Sequence, residues 1–209
     1  MRLRILFAKT DAMRFTSHLD LYRTWERTLR RAGLPLAYSQ GYNPHPRINL
    51  ASALPLGFTS QGEVLDVWLK DELPPNQVER DLKVSLPPGI MILSVEQVGD
   101  KEPPLQTILE AAEFEISFPE PAPYLDEKIQ ELLASSSLSR QRRGKTYDLR
   151  PLLLDLQRLP DDASGKPRLF MRLAAREGAT GRPEEVILAL GFQPLSTRIN
   201  RTRLILGKP

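Results

Sequence analysis

The residue types best suited to recognition chemistry gather in one stretch, AYSQGYNPHPRINL at positions 37–50. Tyr38 and Tyr42 offer flat faces on which bases can stack, Gln40 and Asn43 carry amides that match base edges, and Arg47 can reach a phosphate. Gly41 lets a backbone approach closely, and two prolines stiffen the segment. His45, between those prolines, and His18 are the chain's two histidines. As a general acid and base they would suit phosphodiester cleavage through the 2′-hydroxyl of RNA. A structural histidine at a helix start is the competing reading of His18, and a simple rigid turn that of the stretch.

Two basic clusters accompany this stretch. Arg23, Arg27, Arg30 and Arg31 fall on one side of a helix expected to begin at Thr16 or Ser17 and to stop at Gly33 and Pro35. Leu21, Trp25, Thr28, Leu29 and Ala32 occupy the other side, with His18 near them. Farther on, Arg140, Arg142, Arg143 and Lys145 surround Gly144 and are expected to form a basic arm. Guanidinium forks suit phosphates, although a solvated helix face or a plain surface hairpin would show the same composition.

Charge along the chain follows the same division. Residues 1–60 hold nine Lys/Arg against three Asp/Glu, residues 61–137 hold five against sixteen, and residues 138–209 hold fifteen against seven. Basic ends around an acidic middle point to an anionic partner, and RNA is the expected one. Several chemistries are excluded. The chain has no cysteine, so it can form neither a disulfide nor an iron–sulfur cluster, and two histidines make a structural zinc site untenable. No metal and no cofactor is expected on this chain. There is no Walker loop, dinucleotide fingerprint or serine elbow, and no apolar run near the ~18 residues of a membrane span. MRLRILFAKT reads as a first strand rather than a signal peptide, so a cytoplasmic protein without membrane contact is expected.

The elements that must position these residues follow from periodicity. RLRILFA, INLASAL, EVLDVWL and IMILSVEQV read as strands, and residues 74–86, between PP and PPG, as a second helix. AEFEISF, TYDLRPLLLDL, RLFMRLAA and TRINRTRLIL read as strands of a second set. Pro151 is expected to break or displace one of them. PYLDEKIQELLAS and RPEEVILALG read as its helices. The expected fold is α+β: two tandem ferredoxin-like βαββαβ units with antiparallel sheets, at 1–98 and 111–209, joined by a linker at 99–110.

The run from Met13 to Leu69 carries SHLD, RRAGLP, YSQGYNPHPRI and PLG in one order and resembles the start of the bacterial radical SAM-linked protein family. KTYDLRPLL, in the second half, is a weaker match. Members of that family occur fused to, or encoded beside, cobalamin-type radical SAM proteins, which implies a radical SAM protein as partner. This chain lacks the three-cysteine motif of a radical SAM enzyme, so the resemblance implies the linked partner and not the catalyst. The tandem arrangement is also similar to tRNA pseudouridine synthases and CRISPR repeat endonucleases. No convincing equivalent of the synthase aspartate motif stands around Asp66 or Asp148. The expected function is an RNA-binding accessory module serving tRNA or rRNA modification or processing. The alternatives are a metal-independent endoribonuclease using His18 and His45, or a protein-interaction domain docking on the radical SAM enzyme through the acidic middle.

Overall fold

The computed structural model describes residues 1–142 and 144–207. The chain is a mixed α+β protein whose strands pair mainly antiparallel, and it divides into two compact units. Among the described residues, the first comprises Met1–Ile108 with Leu206 and Gly207, the second Leu109–Ile205. No helix among the described residues is long and apolar enough to cross a membrane.

The first unit runs β1 (Arg2–Lys9), α1 (His18–Arg31), β2 (Ile48–Leu50), β3 (Thr59–Trp68), α2 (Pro75–Ser85), β4 (Ile90–Val98) and the single turn α3 (Leu105–Ile108). Its strands lie in the order β2–β3–β1–β4, each antiparallel to its neighbour. Alternation along β1 sends Leu3, Ile5 and Phe7 into a core with Leu65 and Val67 of β3 and Ile90 and Ile92 of β4. Leu21, Trp25 and Leu29 of α1 and Val78 and Leu82 of α2 complete it, at the 3.6-residue spacing of an amphipathic helix. The Phe7 and Trp25 rings meet edge to face, with centroids 4.8 Å apart. The Ser17 hydroxyl caps α1, accepting the Asp20 N–H at 3.2 Å and donating to its carboxylate at 2.7 Å. Gly33, at φ +68°, ends the helix, and the Leu34 N–H returns to the Leu29 carbonyl.

The opposite face of the same sheet is polar. Asp66, wholly buried, receives Arg2 Nε at 2.9 Å and Arg4 Nε at 2.9 Å, with a further bond from Arg2 Nη2. Arg2 also donates to the carbonyls of Glu102 and Pro103 at 2.6 and 2.9 Å, and Arg4 pairs with the Glu102 carboxylate at 3.5 Å. Burial works against the Arg4 charge, but the Asp66 bond and the Asp66, Glu102 and Glu96 charges outweigh it and raise its pKa. Part of the segment expected as a linker is thus pinned to the sheet. Leu105 begins a helical turn and β5 starts at Leu109, three residues earlier than the alternation of AEFEISF indicates.

The second unit runs β5 (Leu109–Ser117), α4 (Leu125–Ala134), β6 (Ser139–Arg142), β7 (Lys145–Asp148), β8 (Leu153–Leu159), β9 (Arg168–Arg176), β10 (Ala179–Thr180), α5 (Pro183–Ala189) and β11 (Arg198–Leu206). β8, β9, β5 and β11 lie side by side in that order, with the short β10 also on β9. Phe114 stands opposite Met171 and Ile116 opposite Leu169, while Leu125, Ile129 and Leu132 of α4 and Val186 and Ile187 of α5 are buried. Pro151 divides the strand expected over TYDLRPLLLDL. It lies in a 3-10 turn at Arg150–Leu152, because a residue without an N–H and with fixed φ cannot serve a ladder. The part before it pairs with β6 as a separate two-stranded hairpin, and the part after it becomes β8.

Replacing Asp66 by alanine should cost about 3–5 kcal/mol of unfolding free energy, since it strands buried guanidinium groups. Lys83→Ala, which removes an exposed pair with Glu79, should cost under about 1 kcal/mol. Urea unfolding of the two variants beside the parent checks the contrast.

Candidate nucleic-acid interface

The stretch between α1 and β2 is itself a hairpin. After α1, Leu36 bridges Leu69, the Ala37 N–H donates to the Trp68 carbonyl at 2.8 Å, and the Trp68 N–H donates to the Arg47 carbonyl at 3.1 Å. Its two arms are joined by Arg47 N–H to Ala37 O and Ser39 N–H to His45 O, both 2.8 Å, and by a bridge between Tyr38 and Pro46. The His45 N–H also donates to the Ser39 hydroxyl at 3.1 Å. Residues 40–44 form the tip, where Gly41 takes φ +137°, a conformation that side-chain-bearing residues avoid.

This framework brings cations to aromatic rings. Arg30 of α1 and Lys70, just beyond β3, both lie over the half-buried Tyr38 ring, at 5.9 and 5.8 Å from its centroid. Arg47 lies over Trp68 at 4.8 Å, and Arg2 lies over the same ring at 4.9 Å. Such stacks hold guanidinium and ammonium groups in place; the donors of Arg2 are spent on Asp66, Glu102 and Pro103, whereas Lys70 and Arg47 are exposed. Gln40, Asn43 and His45 are exposed, and Tyr42 is wholly so.

The arginine side of α1 does not act as one surface. Arg30 joins the hairpin and also pairs with Glu26 at 2.6 Å. Arg31 donates to the Ser85 carbonyl at 3.4 Å, satisfying the end of α2, and Arg23 pairs with Asp20 at 3.5 Å. Arg27 has neither hydrogen bond nor ion pair among the described residues. The histidines belong to different elements: His18 is the first residue of α1, half-buried behind the Ser17 cap, and His45 stands on the hairpin.

The second basic cluster lies on the β6–β7 hairpin. Arg140 stands opposite Tyr147 and Arg142 opposite Lys145; Arg143 lies outside the described residues. Arg140 Nε approaches Glu185 at 3.8 Å, and Lys145 is exposed. Burial, with the Glu185 charge, raises the Tyr147 pKa against the nearby arginines 142, 182 and 140, so this phenol stays neutral. Asp148 closes the hairpin base. Its Oδ1 accepts the Leu138 N–H at 2.7 Å and the Arg150 N–H at 2.9 Å, which hold its pKa below the ordinary carboxylate value. Trp68 and Lys70 were not singled out from the sequence. Their only signal was the alternation of EVLDVWLK, which places Trp68 at a strand end beside the arms of the hairpin.

The architecture defines a mixed α+β protein of two compact, mainly antiparallel units, each presenting a cationic hairpin. The chain belongs to the family described as an uncharacterized protein conserved in bacteria (DUF2344), whose model matches residues 2–183. No curated protein matches it. Among solved structures, a putative glycine cleavage system transcriptional repressor is similar at 12% identity over 99% of this chain and 98% of that one, with a TM-score of 0.27. A heavy metal efflux pump is similar at 8% identity over 95% of this chain and 28% of that one, with a TM-score of 0.26. At such scores neither likeness bears on the fold or the site.

The depressed Asp148 pKa gives a signed expectation. Its contribution to stability is present above the unfolded-state value of about 3.9 and is lost as pH falls through the lower folded value. Denaturant unfolding at about pH 2 and about pH 6 should therefore show a smaller difference for Asp148→Asn than for the parent.

Proposed function

We propose that the protein is an RNA-binding accessory module that presents tRNA or rRNA to a radical SAM protein for modification or processing, in the cytoplasm. The observation that carries the RNA reading is the hairpin at 37–47. Arg30 and Lys70 flank one tyrosine, Arg47 stacks on a tryptophan, and amides and a second tyrosine stand at the tip. Cations that engage phosphates beside flat aromatic and amide groups are the usual means of holding unstructured or looped RNA. The β6–β7 hairpin, with Arg140, Arg142 and Lys145, supplies a second phosphate contact. The radical SAM partner rests on the resemblance of residues 13–69 to proteins linked to such enzymes. The strand orders β2–β3–β1–β4 and β8–β9–β5–β11 support reading each unit as ferredoxin-like, with the β6–β7 hairpin inserted in the second.

Affinity for bulk tRNA, measured by fluorescence anisotropy across a salt series, should fall steeply as salt rises. Lys70→Ala and Arg142→Ala should each weaken binding and reduce the slope of log K against log salt by about one. Absence of binding at low salt would overturn the proposal.

A further inference from the structure

Within the RNA-binding reading, on which this inference rests, the two tyrosines of the hairpin have different surroundings. The Tyr38 ring already has two cations over it and is half-buried. Tyr42 has a relative exposure of 106%, and among the described residues its side chain has no hydrogen bond, ring neighbour or cation. It is nevertheless not on a loose tail. The arms beneath it are closed by Ser39 N–H to His45 O, His45 N–H to Ser39 Oγ and Arg47 N–H to Ala37 O, and are joined to the end of β3 through both backbone polar groups of Trp68. A turn needing Gly41 at φ +137°, and Pro44 beside Asn43, restrict the tip itself. The result is a bare aromatic face carried on a braced support, with amide side chains on both sides of it at Gln40 and Asn43 and cations at its base.

We infer that this tip recognises an unpaired nucleotide, with its base stacked on Tyr42, and that the RNA ligand is therefore single-stranded or looped at the contact. In an A-form duplex the base faces are consumed by their neighbours, and a side chain meets only phosphates, 2′-hydroxyls and groove edges. An exposed ring gains little there, whereas stacking on a splayed base removes apolar area on both partners from water. The neighbouring amides match the Watson–Crick edge of a base that has left its stack. Lys70, Arg30 and Arg47 sit at the hairpin base, where the phosphates flanking that nucleotide would run.

The test compares a labelled 12-nucleotide oligoadenylate with a 12-base-pair RNA duplex, using the full chain and its Tyr42→Ala and Tyr42→Phe variants. The side chain is fully exposed, so both variants should keep the parent's thermal unfolding midpoint. The single strand should bind more tightly than the duplex. Tyr42→Ala should lose about tenfold in affinity for the single strand and keep its duplex affinity and salt slope, and Tyr42→Phe should retain both affinities. If Tyr42→Ala binds oligoadenylate as the parent does while Lys70→Ala still weakens it, the unpaired-base contact is overturned and RNA binding stands; the tip is then assigned to a protein partner. If neither RNA binds at low salt, both readings fall together.

Discussion

The first unit depends on one buried carboxylate. Asp66 stands opposite Arg4 across the β1–β3 ladder and accepts hydrogen bonds from two arginines of β1, one of which also ties down the carbonyls of Glu102 and Pro103. Charges in so dry a place are tolerable only when every one is answered, because each ion has lost several kcal/mol of hydration. The arrangement therefore permits little movement. It fixes the register of β1 against β3 and holds the chain after β4 against the sheet. Two residues beyond Asp66, Trp68 shares that face, receives Arg2 over its ring and takes Arg47 of the hairpin over it as well. The support for the hairpin at 37–47 is thus continuous with the polar face that orders the sheet.

Pairing within each unit redistributes the charge asymmetry of the chain. In the second unit, Arg168 and Arg172 of β9 meet Glu115 and Glu113 of β5 at 2.7 Å across their ladder. Arg150 spends its guanidinium on the carbonyls of Leu133, Ser135 and Leu153, and Arg158 pairs with Asp161 and Asp126. In the first, Arg31 serves as a cap for α2 and Arg23 leans on Asp20. The basic groups left to face a partner are fewer than the composition implies. Among those that remain are Arg27 on α1, Lys70 and Arg47 against the rings of Tyr38 and Trp68, and Arg142 and Lys145 on the β6–β7 hairpin.

Much of the frame was legible in the sequence. Ser17 and Gly33 bound α1 where their chemistry puts a cap and a left-handed stop, and the PP and PPG pairs bound α2. Most of the alternating runs became strands, although INLASAL is strand only over Ile48–Leu50, and Pro151 interrupted another as its missing N–H requires. The hairpins were harder to see. Residues 37–47 lack alternation because their pairing is made by backbone groups around prolines, and SRQR with KTYD forms strands with no apolar face. Neither carries the periodicity from which strands are read. The contacts of Lys70 and Trp68 with the hairpin were invisible for another reason: Tyr38 and Arg47, which they touch, lie more than twenty residues away along the chain.

By itself, then, the sequence determined what local chemistry determines: the helices and the strands with an apolar face, where helices begin and stop, and that cations and aromatic groups are abundant near residues 37–47. Only the tertiary structure decided which of those cations are consumed and which remain. Arg30 and Arg31 are adjacent residues of the same type, yet one stacks on Tyr38 and the other satisfies a carbonyl of α2. The physical reason is that an arginine's role depends on the carboxylates, carbonyls and rings within a few ångströms of its guanidinium group. Here those neighbours are brought by chain closure from distant positions, as Asp66 is to Arg2 and Ser85 to Arg31.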